Sequence, residues 1–165
     1  MKFTLIKLEK FSGRAASVYD VKMHGDSLTL FERFVLENRS KHLSEIKDIV
    51  QRLHVIGHNY GARQEYFKEF EGKPGDGLCA LYDLPDKHLR LYCIRNGKVN
   101  VILGGGGPKT VRALQDDKKL TEENYLLRKV SAMIVAALKE GDIEWSDEGM
   151  DLMGDLTFDD YEDEA

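Results

Sequence analysis

"LRLYCIRNGKVNVILGGGGPKT", residues 89–110, is the stretch on which the fold turns. Asn96-Gly97 stands between two runs of apolar and β-branched residues. In that setting an Asn-Gly pair signals a tight hairpin, because both central residues of the turn take positive φ. Leu89–Ile94 and Val99–Leu103 are therefore predicted as paired antiparallel strands, with Leu78–Leu84 as a third strand ahead of the PDKH turn. Gly104 to Gly107 follow at once, with Pro108 and Lys109 behind them. Glycine loses more backbone freedom on folding than any other residue, so such a run needs a physical reason. A nucleotide-binding loop spaces its glycines G-x-x-x-x-G-K-[ST] directly before a helix. Here Pro108 breaks the spacing and removes an amide donor, and hairpins rather than βαβ units precede it. These features argue against nucleotide hydrolysis. They leave a backbone that crosses close to another element, or amides placed to approach a phosphate.

Upstream, FTLIKLEKF alternates apolar and polar residues and reads as a first strand. SVYDVKM (Ser17 to Met23) reads as a second, reached through a turn at Gly13. Thr29 with Glu32 three places on is a capping box, and Leu30, Phe31, Phe34 and Val35 form the apolar face of the helix it opens. A second helix carries Leu43, Ile46, Ile49, Val50, Leu53 and Ile56 at three- and four-residue steps, with Gly57 as its stop. Together these make an αα-hairpin. Downstream of the glycines, a polar connector leads to a long helix over about Thr121 to Lys139, closed by Gly141. DIEW then offers a short extra strand.

The chain has 165 residues and a net charge of −5, which bounds it to one domain with a real core. The charge is unevenly spread. Of the 29 acidic residues, twelve lie in Glu140–Ala165 with no Lys or Arg, so residues 1–139 hold 17 acidic against 24 basic residues and carry +7. A basic body attracts polyanions such as nucleic acid. The acidic end reads as a flexible tail over 151–165, behind a single domain over 1–150. No run is long and apolar enough for a membrane helix, and the N-terminus has no h-region of a secretory signal. Cys79 and Cys93 sit in apolar, strand-like surroundings and read as buried reduced thiols of a cytoplasmic protein. Neither cysteine belongs to a metal pattern, and nothing in the chain calls for a cofactor or a membrane partner.

Alternation along HLRLYCIRNG puts Leu89, Leu91 and Cys93 on one face, and His88, Arg90, Tyr92 and Ile94 on the other. The first face packs on the helices. The second presents Arg90, a planar set of donors suited to phosphate, beside Tyr92. Singly, such residues are ordinary solvated surface. Lys109 and Arg112 after the last strand, and Arg63 before the sheet, add to the positive field. Of the five histidines, His54 and His58 stand four apart, but with Gly57 expected to end the helix between them they make no metal pair, and each histidine reads individually as a surface residue.

This order of elements resembles the RelE/ParE toxin superfamily, and most of all its HigB-like branch. The resemblance is carried by GDGLCALYDLPDKHLRLYCIRNGKVNVILGGGGPKT (residues 75–110) and by IKDIVQRLHVIG (residues 46–57), and it covers roughly residues 28–139. It implies an α+β fold, an αα-hairpin packed on a curved antiparallel sheet, here with an N-terminal two-strand extension over 1–27, a C-terminal helix and the acidic tail. It also implies a metal-independent endoribonuclease, an mRNA interferase acting on mRNA, usually on the ribosome, and silenced by a cognate antitoxin of helix-turn-helix type. In that chemistry a 2′-hydroxyl attacks the adjacent phosphate, a base takes its proton, an acid protonates the leaving oxygen, and cations stabilise the phosphorane. Carried over, Arg90 matches the family's sheet arginine and Lys109 one lysine of its terminal basic pair. Tyr92 and Arg112 lie near less uniform functional positions. Arg63, Arg95, Gly105 and Gly106 complete the expected RNA contacts. Where the family has an aromatic and paired lysines, this chain has glycines and one lysine, and its general base stays open. The alternative is a non-enzymatic protein-binding module on the same fold, including a gyrase-inhibitor-like toxin.

Overall fold

A computed structural model describes residues 1–68, 72, 75–81, 88–109 and 118–160. It is an α+β fold with three α-helices and a mostly antiparallel seven-stranded sheet among the described residues. In chain order the elements are β1 (Lys2–Lys7), β2 (Ser17–Met23), α1 (Leu30–Asn38), α2 (Leu43–Val55), β3 (Phe67–Lys68), β4 (Leu78–Leu81), β5 (Leu89–Asn96), β6 (Asn100–Pro108), α3 (Lys118–Glu140), β7 (Ile143–Trp145), β8 (Leu152–Gly154) and β9 (Thr157–Asp159). The large sheet runs β3-β4-β5-β6-β2-β1-β9, and β7 pairs with β8 in a small ribbon.

The hairpin signalled by Asn96-Gly97 forms, but Asn96 ends β5 opposite Asn100, and the turn is the three residues 97–99, with Gly97 at φ 62. What the turn signal does not reveal is how far β6 runs. The four glycines are not a loop after the sheet; they are buried residues within it, with Gly106 opposite Leu91 and Gly107 opposite Arg90. A bulge lies between Leu91 and Cys93, so that Gly104 and Gly105 together face Tyr92. Side chains are absent there because neighbours fill their space. A Cβ on Gly104 would sit 2.7 Å from Leu127 Cδ2 of α3. One on Gly105 would enter the Glu123 carboxylate, and one on Gly106 would strike the Arg90 carbonyl.

The sheet is covered on both faces. Leu91, Cys93, Val101 and Leu103 pack with Phe31, Phe34, Ile46, Ile49 and Leu53 of α1 and α2. Tyr92, Ile94, Ile102, Tyr19 and Val21 pack on the other side with Leu120, Leu127, Val130 and Ile134 of α3. α3 therefore closes the face that alternation assigned to solvent.

The capping box at α1 is present, with the Glu32 amide donating to Thr29 Oγ1 (3.1 Å) and the Thr29 amide to Glu32 Oε1 (2.8 Å). β2 and β6 run parallel and pair only over Ser17–Tyr19 and Asn100–Ile102. α1 begins where they part: Leu30 joins one core, Phe31 and Phe34 the other. Above Gly105, Arg33 of α1 bonds to the buried Glu123 of α3, which also holds Lys119 at 2.9 Å. Burial works to lower the Lys119 ammonium, but its bonds to Glu123 and Glu37 outweigh that and raise it.

Two readings change at Gly57 and at the C-terminus. Gly57 does not stop α2. The helix continues as a π-turn over Ile56–Tyr60, and Gly61, at φ 77, ends it. Gly57 is required instead by the Phe11 carbonyl, which occupies its Cβ position. The segment expected as a flexible tail from residue 151 is built into the structure through Asp159. Asp151 bonds to the Tyr19 hydroxyl (3.0 Å) and lies 3.2 Å from Lys7 Nζ, and β9 adds a strand to β1. Phe158 stacks on Phe3 with ring centroids 4.8 Å apart; residues 161–165 lie outside the described set. Phe158→Leu keeps most of the apolar burial but loses the ring pair. A loss of about 1 kcal/mol is expected in urea unfolding, and no change would mean that β9 does not hold the sheet edge.

Candidate functional site

His42, the residue before α2, and Glu45, in its first turn, share one end of that helix. His88 immediately precedes β5. Glu45 draws the two elements together. Its Oε1 accepts the backbone amides of His88 (2.6 Å) and Leu89 (3.1 Å), tying the start of β5 to α2. Its Oε2 lies 3.3 Å from His42 Nδ1 and 3.4 Å from His88 Nδ1, and the two imidazole centroids are 5.9 Å apart. Burial pushes the Glu45 carboxyl up, but the amides of Leu89 and His88 outweigh it and hold the group below its ordinary value. The Glu45 side chain is 10% exposed and that of His88 69%, so an ionised, amide-fixed carboxylate underlies an accessible imidazole.

Lys109 is at the same end of the sheet: its amide donates to the His88 carbonyl (2.9 Å), and its side chain is exposed. Arg90 follows two residues into β5, half-buried, on the face that carries Tyr92 and α3. Two imidazoles and a carboxylate thus meet at the beginning of β5, with the exposed Lys109 beside them at the end of β6. Such a set can orient imidazole tautomers through Nδ1–H, leave Nε2 to exchange protons, and attract an anion.

The other expected site residues separate. Tyr92 is 0% exposed beneath α3, so its hydroxyl cannot reach a substrate. Gly105 and Gly106 are buried between α1, α3 and β5, and their amides are closed to phosphate. Arg95 lies five residues along β5 from Arg90, about 16 Å at strand spacing, and its Nε donates to the Ala62 carbonyl (2.7 Å). Arg63 belongs to that far end as well, exposed over the Tyr60 ring at 4.7 Å and 3.6 Å from Glu65. Arg112 lies outside the described residues. The expected single basic face is therefore two separate groups. Position along β5 separates the two groups, and α3, whose helical character is legible but whose docking face is not, covers Tyr92.

In the sequence, His42 and His88 read only as surface residues and Glu45 has no marked role. The His-x-x-Glu spacing at a helix start places His42 and Glu45 on one turn. Nothing in the sequence ties residue 88 to them, since that contact depends on how β5 enters the sheet.

No protein-family model, no curated protein and no solved structure matches this chain. Among the described residues, no helix is long and apolar enough to cross a membrane.

Proposed function

We propose that this chain binds RNA and cleaves it without a metal, as a toxin-like protein of the RelE/HigB kind, at the His42–Glu45–His88 end of the sheet. The observation that carries the reading is the pair of imidazoles on one fixed carboxylate, next to exposed Lys109. The pair supplies the general base that the sequence left open. Glu45 Oε2 accepts Nδ1–H and turns Nε2 outward. One imidazole takes the 2′-hydroxyl proton while the other, protonated, delivers a proton to the leaving 5′-oxygen. Lys109 stabilises the negative charge that develops on the phosphorus oxygens. Arg90, on the α3 face of β5 while Glu45 comes from α2 on the opposite face, takes no part in this scheme. Neither does Tyr92.

The test is cleavage of a single-stranded RNA by the purified full chain in EDTA. His88→Ala and His42→Ala are each expected to lower the rate about 100-fold or more, the range of a lost general acid or base. Lys109→Ala should weaken RNA binding and flatten its salt dependence. Arg63→Ala, at the far group, should leave the rate unchanged. A wild-type chain that neither cleaves RNA nor binds it in a salt-dependent way would overturn the proposal in favour of a protein-binding module.

A further inference from the structure

We infer that His42, Glu45 and His88 also form a binding site for a zinc-class divalent cation. The ligand atoms of the three residues all lie within 4.8 Å of one another. Two imidazoles and one carboxylate make a nitrogen–oxygen donor set suited to Zn²⁺ rather than to Mg²⁺ or Ca²⁺, which take oxygen ligands. The distances agree. Bonds of about 2.0–2.1 Å at tetrahedral angles put ligand atoms about 3.3–3.4 Å apart. Oε2 stands 3.3 Å from one Nδ1 and 3.4 Å from the other. Two edges of the tetrahedron thus exist before any ion arrives. The remaining histidine–histidine edge closes by rotation of His88, whose side chain is 69% exposed.

The carboxylate is also oriented as a ligand should be. Oε1 is taken by two backbone amides, so Oε2 is the oxygen that remains and it points between the imidazoles. Outer hydrogen bonds of this kind fix a ligand's direction. His42 and Glu45 come from one helical turn and His88 from the strand start, so an ion would clamp α2 to β5. Three protein ligands leave a fourth position open to water.

The consequence for catalysis, and only that consequence, rests on the reading above. Zinc on both Nδ1 atoms leaves each Nε2 carrying its hydrogen, with no lone pair to accept the 2′-hydroxyl proton, so the loaded protein is the silent form and the metal-free protein the cleaving one.

Zinc titration of the full chain by calorimetry, with bound metal counted after dialysis, tests the site without reference to RNA. One Zn²⁺ per chain is expected, with no heat from Mg²⁺. His42→Ala and His88→Ala should each weaken binding about 100-fold. Glu45→Gln, which keeps the carbonyl that accepts the two amides, should weaken it about tenfold with the fold intact by circular dichroism. His54→Ala serves as the control, because His54 and His58 form a separate ring pair 4.3 Å apart. Absence of stoichiometric binding, or binding that survives the His42 and His88 changes or is lost with His54, would overturn the inference. Zinc binding without RNA cleavage in EDTA would uphold the site and refute the nuclease reading alone.

Discussion

Gly106→Ala is expected to lower stability by about 3–5 kcal/mol, while Gly107→Ala, one residue on, changes it by less than about 1 kcal/mol. The two residues are neighbours in one strand and read alike in the sequence. Their surroundings differ. A Cβ on Gly106 would run into the carbonyl oxygen of Arg90 and stand 3.1 Å from Leu91 Cα, all backbone atoms of the paired strand. No rotamer change relieves such a clash, so β5 and β6 would have to separate at the bulge. A Cβ on Gly107 meets only Lys119 Cγ at 3.6 Å and Leu120 Cδ2 at 4.0 Å, ordinary contact distances. Replacing that glycine also restrains the unfolded chain, a gain of about 0.4–1 kcal/mol that offsets small losses. Thermal unfolding reads the contrast directly, since about 1 kcal/mol moves the midpoint by roughly 2–4 °C in a chain of this size. Equal midpoints for the two variants would refute this account of the glycine run.

Gly104 and Gly105 fall between these limits, and the pattern states what the run is for. Each missing side chain admits a particular neighbour: Leu127 at Gly104, the Glu123 carboxylate at Gly105, and the partner strand's own backbone at Gly106. The run lets α1 and α3 close over the end of β6 and lets Arg33 meet Glu123 there. A close passage of backbone was one of the two readings open from sequence, and it is the one the packing supports. The phosphate reading fails because the amides are inside the protein.

Local chemistry was legible and remote packing was not. The Asn96-Gly97 hairpin, the Thr29–Glu32 capping box and the apolar faces of α1 and α2 each depend on residues within one turn or hairpin, so their spacing carries them. Leu127, Val130 and Ile134 announce α3 as amphipathic, but no spacing says which sheet face it covers, and Tyr92 was misplaced for that reason. β8 and β9 are three residues each in an acidic background, too short for alternation to register. Their anchors are single long-range contacts, Phe158 on Phe3 and Asp151 on Tyr19. The candidate site shows the same division: His42 and Glu45 share a helical turn, whereas His88 reaches them across 43 residues of chain.

Asp20 carries the second large effect. SVYDVKM invites a reading in which alternate residues face solvent, yet Asp20 is 1% exposed, at the fork where β2 leaves β6 and α1 begins. Its Oδ1 accepts the amides of Val21 (2.8 Å) and Phe31 (3.2 Å), so it closes the first turn of α1. Burial dominates nonetheless, pushing the carboxyl up from its ordinary 3.8 to about 6 against the hydrogen bonds from Thr29, Val21 and Phe31. The sign follows from linkage. A group that holds its proton more tightly when folded contributes its full stability below about pH 4 and loses it as pH rises through about 6. Near pH 8 the folded chain bears an ionised, buried carboxylate whose penalty is on the order of 3 kcal/mol, from about two pKa units. Asn at this position keeps an oxygen to accept the same two amides and removes the charge. Asp20→Asn is therefore expected to raise stability by about 2–3 kcal/mol at pH 8, with the gain shrinking to near zero by pH 4. Asp20→Ala, which abandons both amides, should lower stability at pH 4, where burial of the neutral acid is not penalised. Urea unfolding of the three proteins between pH 4 and pH 8 separates the contributions. A loss for Asp20→Asn that is the same at every pH would mean that the positive end of α1 fully compensates the carboxylate charge, and that its burial is no burden on the fold.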